Sequence, residues 1–214
     1  MGRVVYRQIA VTLRCRCATR YLMAVLNEPL ENIHLKRHGM NTNLTYVAFD
    51  AAGIVDHEHS NFPYFRQIER WAQQYPSRFR FVNTEDIDFT SEHDDYVDSN
   101  LKIALLDKMA TADNLLVMAS SQNNTESPIL NWQISKCVNR FHLPVIVAYA
   151  EHSIVTEKTV DDFFPHLPNK VRKYLTRDSA PMAHIPLTKD KLERALVAFS
   201  VRERTFPWHS KTIF

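Results

Sequence analysis

The chain reads as an α/β protein built on a mainly parallel sheet of about five strands flanked by helices. Three observations carry that reading. The runs Leu115–Ala119 and Pro144–Tyr149 are short, rich in Val, Leu and Ile, and lack polar alternation. Strands covered on both faces of a parallel sheet look like this. Between them lie a polar loop, Ser120 to Ser127, and a helix from Pro128 to about Phe141, so a right-handed β-α-β crossover is the default connection. Along the rest of the chain, strand and helix signals alternate through five cycles, the pattern of an α/β sheet.

Each element has its own local reason. Leu44 to Phe49 is the first buried strand and runs into Asp50. A polar loop, Ala51 to Asn61, follows, and Pro63 opens a helix with Phe65, Ile68, Ala72 and Tyr75 at helical spacing. Phe79 to Val82 reads as the second strand, entering an acidic loop, Asn83 to Asp95. Thr90 or Ser91 can cap the next helix, on which Val97, Leu101, Ala104, Leu105 and Lys108 trace one face.

In the central unit, Ser127 followed by Pro128 is an N-cap with proline at the first helical position. Leu130, Ile134, Cys137, Val138 and Phe141 form its inward stripe. Gln133 flanks that stripe, and Trp132 points away from it, as a pocket rim, a self-association surface or packing under the segment that follows. Glu151 to Ala180 reads as short helical pieces. Met182 to Ile185 is the last strand, and Thr188 caps a helix with Leu192, Ala195, Leu196 and Phe199 inward. Flavodoxin-like strand order is the expectation.

Domain organisation is simple: a basic extension at residues 1–39, one domain over 40–200, and a polar and aromatic tail over 201–214 that packs on the surface or frays. Residues 1–39 hold seven Lys/Arg against two acids, which leaves 19 basic against 22 acidic groups in residues 40–214. That extension reads either as a start placed upstream of Met40 or as a basic arm or targeting segment. The body is then slightly acidic, which speaks against DNA as a partner.

Cys15, Cys17 and Cys137 give no disulfide framework and no paired CxxC for zinc, so a reducing, cytoplasmic setting is expected. No apolar run approaches the roughly 18 residues of a membrane span, and no membrane partner is expected. The three glycines, Gly2, Gly39 and Gly53, fall in no phosphate-cradling pattern, which excludes a P-loop and the dinucleotide fingerprint. The run Asp56, His57, Glu58, His59 lacks the i, i+4 spacing of a helical zinc pair and reads as a polar loop. No metal site is expected.

Six short motifs taken together resemble the bacterial TIR-like domain family of the Thoeris anti-phage ThsB type. They are TYVAFD (Thr45 to Asp50), FRFVNTEDI (Phe79 to Ile87), LLVMASSQ (Leu115 to Gln122), ILNWQISKCV (Ile129 to Val138), LPVIVAY (Leu143 to Tyr149) and AHIPLTKDKLERAL (Ala183 to Leu196). The resemblance implies a TIR/flavodoxin-like fold. It further implies that NAD is the candidate ligand or substrate, with no bound cofactor, and that members cleave its nicotinamide–ribose bond and can cyclise the ADP-ribose into a signal. A separate effector protein of the defence operon reads that signal, and self-association is common in such domains.

Cleavage passes through an oxocarbenium-like transition state that a carboxylate stabilises. In the family this is a glutamate within a W-E-I motif, and here the motif reads Trp132-Gln133-Ile134. Gln133 therefore stands at the catalytic position. An amide can bond ribose hydroxyls but cannot offset developing positive charge, a loss of about 2–4 kcal/mol. Two functions stay open: an NAD nucleosidase or cyclase, with Glu126 as a surrogate carboxylate, and a non-catalytic scaffold or sensor module. Phe49, Asp50, Ser120, Ser121 and Trp132 are the expected ligand-binding positions. His184, in the last strand, reads as structural.

Overall fold

The computed structural model describes residues 41–48, 61–82, 99–122, 124–203 and 206–214. Phe49, Asp50, the Asp56–His59 run, the acidic loop and residues 1–39 lie outside them. In chain order the elements are β1 (Thr45–Ala48), α1 (Phe62–Gln74), α2 (Ser99–Ala110), β2 (Asn114–Ala119), α3 (Pro128–Asn139) and β3 (Val145–Tyr149). Then come α4 (Glu157–Asp162), a 3-10 turn (Phe164–His166), α5 (Asn169–Arg177), β4 (Met182–Pro186), α6 (Lys189–Ala198) and β5 (Thr212–Ile213).

The five strands lie side by side in the order β1-β2-β3-β4-β5, every pair parallel. Outside β1, Phe81 adds a parallel bridge to Thr45. Counting that bridge as the second strand in sequence, the order 2-1-3-4-5 appears, with β5 added beyond. This is the flavodoxin-like arrangement, whose order reverses between β1 and β2.

Alternation along the strands assigns the layers. Tyr46, Leu115, Val117, Val145, Val147, Tyr149 and Met182 face one side and pack with buried residues of α2, α3, α4 and α5. Leu116, Met118, Ile146, Ala148, Ala183 and Ile185 face the other side and pack with α1 and α6. β2, β3 and β4 are buried at every position, which explains why their sequences show no polar alternation.

Three expectations need correction. Phe79 to Val82 is not a strand among the described residues, because Phe79 N–H still closes the turn after α1 onto Tyr75 O (3.1 Å). Only the flanking Arg80 O and Val82 N–H reach Thr45 (both 2.9 Å). Thr188 occupies the N-cap of α6, yet its hydroxyl makes no cap bond. The tail does not merely cover the surface: Thr212–Ile213 joins the sheet beside β4.

Polar side chains anchor the amino-terminal floor of the sheet. Asn43 and Asn114 both donate to Leu196 O (3.0 Å each), and Asn114 also reaches Phe199 O (2.8 Å). They satisfy carbonyls that the end of α6 leaves open. Asp113 accepts from Leu44 N–H (2.8 Å) and from Arg202 (2.7 Å), joining β1 to the turn after α6.

The tail is latched by His184. Ser210 O can only accept, so His184 Nε2, at 2.9 Å, carries the proton, and Nδ1 accepts from Tyr149 Oη, also at 2.9 Å. Burial holds the imidazole neutral, pushing its pKa down to about 4. Asp178 takes Ser210 N–H (2.6 Å), and Lys211 pairs with Asp161 (2.6 Å).

Candidate functional site

The strand order reverses between β1 and β2, and in open α/β sheets ligands lie in a crevice at the carboxyl ends of the strands at such a point. Its described wall comes from three places: the start of α1, the turn after β2 and the turn after β3. Asn61, the N-cap of α1, reaches Met118 O with Nδ2 (3.4 Å) and accepts from Ser120 Oγ. Ser120 is fully buried and its Oγ in turn accepts from Gln122 N–H (3.3 Å). The turn after β2 is therefore fixed from below.

Ala150 N–H still donates to Ala119 O (2.9 Å), so the chain leaves β3 level with the turn after β2. That carries Glu151 across to Ser121. Both the Ser121 N–H (2.9 Å) and its hydroxyl (2.7 Å) donate to one carboxylate oxygen, Oε1. Tyr64, in the first turn of α1, is close enough to be affected. Its hydroxyl is pushed up by burial and then by the negative charge of Glu151.

Gln133 is placed elsewhere. It lies five residues into α3, about 7.5 Å below the helix start, and is only 1% exposed. Its Oε1 accepts from Tyr46 Oη at 2.8 Å, across to the face of β1. The Tyr46 hydroxyl stays protonated well above its usual range through burial, with Cys137 adding to the effect. Cys137 is itself buried and its thiol is pushed far up, so it is no nucleophile.

Glu126 does not join Gln133. Its carboxylate turns to α5, accepting from Asn169 and pairing with Arg172 (3.2 Å). Trp132 is half buried against the core that α3 shares with α5, with Lys136 Nζ 5.9 Å from its ring centroid. Of its readings from sequence, packing is the one this geometry favours over an exposed rim. A cleft of about 390 Å³ lies between α1 and the Phe79–Val82 stretch, lined by Val47, Phe65, Ile68 and Phe81. Val47 points away from Tyr46 on β1, so this cleft opens on the opposite face of the sheet from Gln133.

Ser120 and Ser121 are thus brought together with Asn61 and Glu151, while Gln133 and Glu126 each sit with other partners. Glu151 was not singled out by sequence reasoning. The rule that ligands lie past strand ends, applied to β1 and β2, reaches Glu151 once it is also applied to β3.

No curated protein matches the chain. A solved structure similar to it is the crystal structure of a conserved protein from Enterococcus faecalis V583, 12% identical, covering 76% of this chain and 98% of that one with a TM-score of 0.43. The family model described as Thoeris protein ThsB, TIR-like domain, matches residues 46–153, from β1 through the turn that holds Glu151. The chain belongs to the Thoeris ThsB TIR-like domain family.

Proposed function

We propose that the protein serves Thoeris-type anti-phage defence as a TIR-like module that binds NAD, or a nucleotide close to it, without cleaving it by the carboxylate route. The observation that carries the second half is the state of position 133. A neutral amide stands there, 1% exposed and engaged by Tyr46 Oη. It has no charge to set against an oxocarbenium-like transition state. Binding needs less: a crevice at the strand-order reversal with hydroxyl, amide and carboxylate groups along its rim supports recognition of a polar nucleotide. Such a module would report to an effector protein by its occupancy or its assembly.

The test is calorimetric titration of NAD into the full chain, with nicotinamide followed by chromatography in the same samples. Binding without nicotinamide release is the expected result. No binding at millimolar NAD removes the ligand, and release by the wild type makes the protein an enzyme.

A further inference from the structure

We infer that Glu151 is the ribose-binding carboxylate of the crevice, its free oxygen accepting hydroxyls of a nucleotide's vicinal diol; this rests on the nucleotide reading above. Three features of the described structure lead there. Glu151 is anchored through one oxygen only, because the Ser121 N–H and hydroxyl both converge on Oε1. Among the described residues nothing bonds Oε2, and Glu151 is exposed, so half of the carboxylate's accepting capacity is open to a ligand.

The anchor itself is rigid. Ser120 beneath it is fully buried and tied to Asn61, and Ala150 N–H is held by Ala119 O. A ligand therefore meets an oxygen whose direction is already set, which lowers the ordering cost of binding. Finally, the other acids considered for the task are placed otherwise: Glu126 is paired with Arg172, and position 133 carries an amide.

The chemistry selects the ligand class. A carboxylate oxygen with no competing donor accepts hydroxyls in charge-assisted hydrogen bonds, and the adjacent hydroxyls of ribose are two donors at one spacing. An acid at the carboxyl end of a parallel strand is a recurrent ribose partner in α/β sheets. The Tyr64 hydroxyl, in the first turn of α1, is raised by burial and then by the Glu151 charge. A deoxyribose ligand offers one hydroxyl fewer and is discriminated against.

The experiment titrates NAD, ADP-ribose and AMP, each with its 2′-deoxy counterpart at each ribose, into the wild type, Glu151→Gln and Ser121→Ala. The wild type is expected to prefer at least one ribo ligand over its deoxy form by about tenfold or more. Glu151→Gln is expected to erase most of that ratio, and Ser121→Ala to reduce it in part while leaving the carboxylate in place. A residue that only staples the turn would change stability and leave the ribo-to-deoxy ratio alone, and an unchanged ratio in Glu151→Gln overturns the inference while the NAD reading stands. Glu151-dependent preference for ADP-ribose or AMP without NAD binding supports the inference and removes NAD. No binding of any of these ligands overturns both.

Discussion

Gln133 and Glu151 differ in what surrounds their side-chain oxygens. Gln133 Oε1 is sealed between α3 and β1, 1% exposed, with Tyr46 as donor. Glu151 Oε1 is held by Ser121 at the open end of the sheet, and Oε2 is left outward. The position to which the motif resemblance assigns the acid is part of the packed layer, whereas an unflagged acid stands at the rim. Replacing a charge by an amide allows this, since a buried amide with partners costs far less than a buried carboxylate. The contrast separates stability from recognition: changes at 133 and its partners should move folding, and changes at 151 should move binding.

The largest effect tests the sealed side. Gln133→Glu puts a carboxyl beside Tyr46 and Cys137, where the neutral form is favoured and the charged form penalised. A loss of about 3–4 kcal/mol at neutral pH is expected, read as a lower urea midpoint. The loss should shrink as pH falls and the carboxyl protonates. An unchanged midpoint would mean that solvent reaches position 133.

Next comes pH. His184 folds with a pKa of about 4, below its unfolded value, so the unfolded chain binds the extra proton between about pH 6.5 and 4. Its contribution is fully present above about 6.5 and is lost as pH falls through that window, about 3 kcal/mol in all. Urea unfolding along a pH series should show this slope, and His184→Gln should flatten it. A smaller loss, about 1–2 kcal/mol, is expected for Tyr46→Phe, which deprives the buried Gln133 oxygen of one donor. At the rim, Glu151→Gln should shift stability by less than about 0.5 kcal/mol, as exposed substitutions do.

The elements most legible from residues alone were those with strong local codes. β2 and β3 announce themselves as unbroken apolar runs, and α3 by Ser127-Pro128, whose cap forms as Ser127 Oγ accepts from Leu130 N–H (3.3 Å). Where the code is non-local, it could not be read. α5 could be read only as one of the short helical pieces between Glu151 and Ala180, its bounds unmarked because it buries only Val171 and Tyr174 in a basic stretch. β5 is two residues whose pairing depends on β4 and on the His184 latch. Ser120 and Ser121 could be placed at a strand end because the apolar run Leu115–Ala119 stops just before them. The sealing of Gln133 was not legible, because it depends on Tyr46 crossing from another strand. Glu151 has no periodic signal of its own, and its role emerges only when the turn after β3 is seen level with Ser121.

The most direct measurement is the titration of NAD into the full wild-type chain with nicotinamide monitored in parallel. Saturable binding with no nicotinamide above the protein-free control is the expected result. Steady nicotinamide release that disappears in Gln133→Ala would contradict the account, because it would make the sealed amide part of a working catalytic centre.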